Sequence, residues 1–358
     1  MNVLYHLTSP APVLPGTDAV FQEIETLRCR VGGSVINLYP LRFPTRWFPP
    51  CLLGLHRLAE LWRLDRETDL HHVFHPVPRF FPSLRCLRKP IVYSVIAGLD
   101  PAYRLPPAAD LRAVVEWVVA HPADAQRLLE AGALHCRVIR PGLDLSRFSR
   151  VPPPLPPPPF TLLAGSAPWV QSQFRQKGFD LLLTACVRHP DLRLILLWRG
   201  RLDSALRRRA AERHVADRID IVNHQANVAD LLGRCHAAVV LAEHPRLVKA
   251  FPHSLLESLA AGRPILTSAC LPIADHVRKT GCGEVITRLT PMDFDAALAR
   301  LRTRYAVAAH AARESGLRDF SLENMVGAFR NLYGDVIART RNPHPIPCQR
   351  PHHAPGDS

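Results

Sequence analysis

The chain has 358 residues, 47% of them hydrophobic, and carries a formal net charge of +14 from 45 basic against 31 acidic residues. It is longer than a single domain of roughly 100 to 200 residues, so two domains are expected, each with its own core. No basic block interleaves with aromatics as a nucleic-acid groove requires, so nucleic acid ranks below an anionic membrane surface or an acidic ligand, and a GC-rich coding bias would also give this Arg-, Ala- and Pro-rich composition.

The first residues, Met1-Asn-Val-Leu-Tyr-His-Leu7, lack the basic head and long apolar core of a signal peptide, and no apolar run approaches a membrane span, so a cytoplasmic, soluble or peripheral protein is expected. Asn2–Leu7 reads as a strand, Pro15-Gly16-Thr-Asp18 as a turn and helix start, Ala19–Arg28 as a helix and Ser34–Leu38 as a second strand. Helical spacing returns over Leu52–Leu64, followed by strands at Leu70–His75, Ile91–Ile96 and Val118–Ala120 and a helix over Pro122–Gly132. This alternation predicts an α/β protein with doubly wound parallel sheets. His75 and His121 fall at strand ends where they could face an acceptor, although eighteen histidines make chance placement common and satisfied strand-end histidines the favoured reading.

The N-terminal half, residues 1–150, closes on Val138-Ile-Arg-Pro-Gly-Leu-Asp-Leu-Ser-Arg-Phe148. The run Pro152–Pro159, with Leu155 interrupting the prolines, excludes helix and cannot donate to a sheet ladder, so 151–159 is expected to be a stiff linker. A second domain over 160–320 opens with the strand Phe160–Ala164, a long loop Gly165–Gly178 containing Arg175 and Lys177, and a helix Phe179–Val187. Strands at Leu192–Leu197 and Ile219–Val222, a basic helix Leu202–His214 and a helix N-capped by Asn227 lead to the strand Ala237–Leu241. Next comes Lys249-Ala-Phe-Pro252-His253-Ser254-Leu-Leu-Glu257-Ser-Leu-Ala-Ala-Gly-Arg-Pro264. Pro252 suits a first helical turn, Leu255, Leu256, Leu259 and Ala260 form one apolar face, and Gly262 with Pro264 ends the helix before the strand Pro264–Thr267. Its N-terminus opens at the carboxyl edge of a parallel sheet, where free backbone N–H groups favour an anion, and Glu257 one turn inside is placed to accept hydrogen bonds from hydroxyls. Helices over Asp293–Arg302 and Leu322–Ala338 close the chain, and the Pro- and His-rich tail is expected to be disordered. The nine cysteines are scattered, odd in number and never spaced Cys-x-x-Cys, which suits reduced thiols.

Phe251-Pro-x-Ser-Leu-Leu-Glu257-Ser-Leu-Ala-x-Gly262-x-Pro264 resembles the signature of the retaining, nucleotide-sugar-dependent glycosyltransferases of family 4, bacterial polysaccharide-building enzymes among them. The Pro-Gly-x-Asp-x-x-x-Phe phrase at Pro141–Phe148 is similar to the one that closes their first domain. The resemblance implies a GT-B fold, two Rossmann-like domains facing across a cleft, with a last helix (321–340) crossing back onto the first. It implies that Glu257 binds the donor ribose, that Lys177 and Gly178 with a companion cation hold the diphosphate, and that the base lies near Asn227–His236. The family's first glutamate falls on Lys249 and its usual loop arginine on Ser166, leaving Arg175 as the companion. Lys249 could receive a carboxylate on the sugar, as in a uronic acid donor, reach the diphosphate in place of the absent arginine, or point to solvent, and phosphate contact is the favoured reading. Gly16, Pro252, His253 and Ser254 complete the implied nucleotide-sugar contacts.

Lysine, arginine and a helix N-terminus stabilise the charge on a departing diphosphate without a metal. No metal or separate cofactor is therefore expected, with a uridine diphosphate sugar as donor, a saccharide or lipid-linked acceptor, and peripheral contact with an anionic membrane. Asp293-Phe-Asp295 opens a late helix and does not stand in a phosphate loop. No phosphate loop of the nucleotide triphosphatases, no His-Glu-x-x-His and no nucleophile elbow is present, which argues against a triphosphatase, a zinc protease and an esterase. Two alternatives stand beside transfer: a degenerate member that binds nucleotide sugar without turnover, and a basic protein of the membrane surface.

Overall fold

The computed structural model describes residues 1–8, 18–40, 49, 52–148, 150–153, 158–198 and 202–341. Gly16, residues 154–157 of the polyproline run and the tail from 342 lie outside the described residues.

The first domain is a six-stranded parallel sheet built from β1 (Val3–Leu7), β2 (Ser34–Asn37), β3 (Leu70–His75), β4 (Ile91–Val95), β5 (Glu116–Val119) and β6 (Cys136–Val138), in the order β2-β1-β3-β4-β5-β6. Between them run α1 (Ala19–Val31), α2 (Leu58–Glu67), α3 (Ala108–Arg112) and α4 (Pro122–Glu130). The second is another parallel six, β7 (Phe160–Ala164), β8 (Leu192–Leu197), β9 (Ile219–Val222), β10 (Ala237–Val240), β11 (Ile265–Ser268) and β12 (Gly283–Ile286), ordered β12-β11-β10-β7-β8-β9. Its helices are α5 (Gln173–Gln176), α6 (Phe179–Arg188), α7 (Asp203–Glu212), α8 (Val228–Gly233), α9 (His253–Ala260), α10 (Ile273–Thr280), α11 (Pro291–Thr303) and α12 (Tyr305–Asp319). β1, β4, β7, β10 and β11 are buried along their whole length, because helices cover both faces of a parallel sheet, and this is why they read as unbroken apolar runs.

Strand order reverses between β1 and β3 in one sheet and between β7 and β10 in the other, and ligands of such sheets bind outside the carboxyl ends of the strands at that reversal. The loops leaving β7 and β10 converge there. α13 (Leu322–Arg341) returns to the first domain, burying Met325, Val326, Phe329, Leu332, Tyr333 and Val336 against Val3, Tyr5 and Leu7 of β1 and Ile24 and Leu27 of α1. Each such large side chain contributes on the order of 2 kcal/mol when removed from water, so the last helix is an integral part of the N-terminal core.

Several elements differ from the sequence reading. β5 begins at Glu116, whose buried carboxylate is neutralised by Arg137 and Arg339, so a charged residue stands inside a strand. The loop from Gly165 contains the short helix α5, and the helices α10 and α12 are additional. Among the described residues no helix is long and apolar enough to cross a membrane. The seven described cysteines are free.

Candidate active site

A cavity of about 170 Å³ lies between the domains at the β7–β10 reversal. One wall is Lys249 with Pro252, His253, Ser254 and Glu257 of α9; the second is Gly165 and Ser166 after β7; the third is Trp198 after β8 with Val222 and His224–Ala226 after β9; α1 contributes Ala19 and Gln22. Pro252 caps α9 in an extended conformation, and its carbonyl accepts from the amides of Leu255 and Leu256, so the amides before them have no intrahelical acceptor and the positive end of the helix faces the cavity. A Cβ on Gly165 would stand 2.7 Å from Ser254 Oγ, so a glycine is what lets the β7 loop seat directly on that helix end.

Glu257 lines this cavity and a neighbouring one shared with Gln22, Glu23, Arg147 and His253. Burial raises its carboxyl to about 7, with the Arg147 guanidinium opposing the shift. Among the described residues no hydrogen bond reaches the Glu257 carboxylate. A sheltered carboxyl with its acceptors unspent is a receptor for hydroxyl donors.

Lys177 is 6% exposed and donates to the carbonyls of Ser166 at 3.2 Å and Ala167 at 3.3 Å. Ser166 adopts φ 62, a left-handed conformation that costs a non-glycine residue on the order of 1 kcal/mol, and the ammonium is what holds that turn. Lys177, Ser166 and Lys249 line a further cavity against Asp18, Ala19 and Val20, and Ser166, Ala19 and Lys249 are walls common to this one and the main cavity. Lys177 thus brings one ammonium to the cavity that adjoins the main one.

Lys249 has a partner that the sequence reading did not anticipate. Its Nζ lies 3.1 Å from Glu23 Oε2 of α1 and 3.4 Å from His253 Nε2, so its charge is balanced from the opposite domain.

Other sequence-based assignments fall elsewhere. Arg175 is 73% exposed on α5, where it pairs with Glu243 at 2.6 Å outside the cavity lining, because α5 turns that side chain to the surface. Gly178 does not line the site either: it caps α6 at φ 67 with a Cβ position 2.7 Å from Leu241, so its role is to let Lys177 and α6 meet. His75 donates to the Val77 carbonyl at 2.7 Å and stands edge-on to Phe81, a satisfied strand-end histidine. His121 caps α4 through the Ala123 amide and faces Asp275 of the other domain at 3.1 Å, an interdomain clasp set apart from the cavities. Asp293 is engaged by Arg288, and Asp295 by Arg188 and His189, on the far side of the second domain. Trp198, Gln22 and Glu23 were missed, since they come from elements with no motif of their own.

Comparison with known proteins agrees with this architecture. Residues 168–314 match the glycosyl transferases group 1 family model. Solved structures with the same fold include Anabaena HepE in complex with UDP (TM-score 0.68, 15% identity, covering 94% of this chain and 100% of that one). A sucrose-phosphate synthase from Thermosynechococcus elongatus gives 0.70 at 16% identity, covering 94% and 100%. WaaG, a glycosyltransferase involved in lipopolysaccharide biosynthesis, gives 0.63 at 17% identity, covering 92% and 99%. Two facing parallel sheets with these neighbours are the GT-B fold. No curated protein matches the chain in sequence.

Proposed function

We propose that this protein is a retaining glycosyltransferase that moves a sugar, foremost from a uridine diphosphate donor, to a hydroxyl of a saccharide or lipid-linked acceptor. The observation that carries the reading is Glu257, a carboxyl without a hydrogen-bond partner among the described residues, one turn inside a helix whose positive end faces the same cavity. A nucleotide diphosphate sugar matches this surface in sequence: Trp198 and His224–Ala226 for the base, Glu257 for the ribose hydroxyls, the α9 amides and Lys177 for the diphosphate. HepE, a structural neighbour, has also been seen with UDP-glucose. Catalysis in this reading is positioning and stabilisation of the leaving diphosphate, with the acceptor hydroxyl attacking the face that the nucleotide leaves. Incubation with UDP-glucose and a saccharide acceptor, read by the anomeric proton of the product, tests it: an α linkage from the α donor supports retention, and a β linkage overturns it.

A second reading, binding without turnover, is favoured by Lys249 in the place of the family's first glutamate and by the ion pair that occupies it. Binding of UDP-glucose with no release of UDP over many hours would select it.

Two outcomes follow for the site. Hydroxyls donating to Glu257 favour its ionised form, so nucleotide binding at pH 7 should release a proton and affinity should weaken as pH falls below 7, the empty-site value. Calorimetric titration in buffers of different ionisation enthalpy reads this directly. Glu257→Gln should abolish the proton release and weaken UDP binding by about tenfold; unchanged affinity would remove Glu257 from the ribose. Because Lys177 and the α9 terminus supply the positive charge, transfer should persist in excess chelator, and activity lost to chelator and restored by magnesium or manganese would contradict this.

A further inference from the structure

The ion pair that joins the two domains inside the cleft has hydrogen-bonding capacity left over. Lys249 and Glu23 are only 17% and 13% exposed at the side chain, and a pair so sheltered recovers its desolvation only if the remaining lone pairs and protons are also satisfied. Among the described residues the Glu23 carboxylate takes its one hydrogen bond from Lys249, through Oε2, so Oε1 is left as an acceptor. Lys249 has three protons, of which Glu23 and His253 engage two. The pair stands where the cavities meet: Lys249 lines the main cavity and the one beside Lys177, and Glu23 lines the one that Glu257 and His253 share.

Charge decides what such a pair binds. A lone lysine would take a carboxylate or a phosphate, whereas a neutralised pair presenting one acceptor and one donor suits uncharged hydroxyls, and an added anion would meet Glu23. Resting on the donor reading above, we infer that Glu23 supplies the carboxylate that recognises the transferred sugar, from the domain opposite the nucleotide, with Lys249 as its counter-ion. The preferred sugar is accordingly a neutral hexose and not a uronic acid. The pair is thus a sugar-specificity element made of two residues from two domains, and the diphosphate is left to Lys177 and the α9 terminus.

The test compares, by calorimetry, the affinities for UDP, UDP-glucose and UDP-glucuronic acid, with the guanosine and adenosine counterparts as controls, in the wild type, in Glu23→Gln and in the double variant Glu23→Lys/Lys249→Glu. Glu23→Gln is expected to bind UDP within about twofold of wild type while its gain in affinity from UDP to UDP-glucose falls by about tenfold or more, the loss of a charged acceptor. The double variant keeps a carboxylate and an ammonium in place, so it should melt near the wild type and retain more of that gain than Glu23→Gln. An unchanged gain in Glu23→Gln overturns the inference, as does tighter wild-type binding of UDP-glucuronic acid than of UDP-glucose. Should Glu23→Gln fail to fold, a double variant that binds UDP but has lost the gain overturns it equally. A wild type that binds none of the nucleotides overturns the donor reading itself, and the inference with it.

Discussion

Lys177→Ala is expected to lower sugar transfer by on the order of a hundredfold or more while the chain still folds, as loss of one pre-organised charge donor does at a site where charge develops. The ammonium is almost wholly buried, held by the Ser166 and Ala167 carbonyls at the edge of the cavity beside the α9 terminus. It costs no reorganisation when a diphosphate departs, and in a sheltered cleft its field is weakly screened. The same side chain also holds the Ser166 turn, so a fall of a few degrees in melting temperature should accompany the kinetic loss. Steady-state turnover with UDP binding measured in parallel separates the two effects: affinity within a fewfold and turnover two orders lower is the expected pattern, and near-normal turnover would take Lys177 out of the mechanism.

Stability should collapse on mild acidification. The first domain buries a histidine network in which His6 Nε2 meets His71 Nδ1 at 2.9 Å, His71 Nε2 meets Asp65 at 2.8 Å, and His72 is shared between the Tyr333 hydroxyl at 2.6 Å and Ser94 at 2.8 Å. Burial holds His6 and His72 well below the usual imidazole value and lowers His71 despite Asp65. Burial also brings His75 to about 4, and likewise His276, which sits edge-on to Phe320 near Asp319, Arg140, Arg318 and Lys279. Each of these groups is neutral in the fold and protonates readily once unfolded. The stability they contribute is therefore present above about 6.5, the unfolded value, and is lost as pH falls from there towards 4. At about 1.4 kcal/mol per unit of depression, His75 and His276 alone remove on the order of 5 kcal/mol across that window, a large share of the 5 to 15 kcal/mol of an ordinary domain. Denaturant midpoints measured at pH 7.5, 6 and 5 should fall steeply below 6.5, and a flat profile would show that these imidazoles are not held neutral. Glu257 works in the opposite sense, since its raised carboxyl disfavours the fold above about 4.5 until a ligand's hydroxyls reach it.

Much of this molecule was legible because strands of a covered parallel sheet are largely apolar runs, and β3, β7, β8 and β9 fall on their predicted ranges while β11 lies one residue further on than expected. The organising helix was legible because its start and stop are written locally, in Pro252 and in Gly262 with Pro264. α12 was not, because the residues it buries are small, Ala308, Ala312, Ser315 and Gly316, with Ala312 and Gly316 against α9, and it carries no stripe of large apolar side chains for periodicity to find. The site divides the same way. Glu257, Ser254 and Lys177 stand in phrases of fixed spacing; the structure puts Glu257 and Ser254 on one cavity and Lys177 on the adjoining one. Glu23 carries no such mark: on α1 it looks like its neighbour Glu25, which pairs with Arg28 on the same helix, and only the fold brings it to Lys249, 226 residues away. Arg175 shows the converse, a cation in the right phrase whose side chain a short helix turns to solvent.

The proposed function requires that a nucleotide diphosphate sugar bind in the cleft against Glu257 and the α9 terminus. Thermal melting of the protein in a panel of uridine, guanosine and adenosine diphosphate sugars tests it most directly, because a ligand at a hundred times its dissociation constant stabilises the fold by about 2.7 kcal/mol. A rise of several degrees is expected with one base, uridine foremost, and it should be smaller in Glu257→Gln. Melting temperatures unmoved by all three bases at millimolar concentration, or raised equally in wild type and in Glu257→Gln, would contradict it.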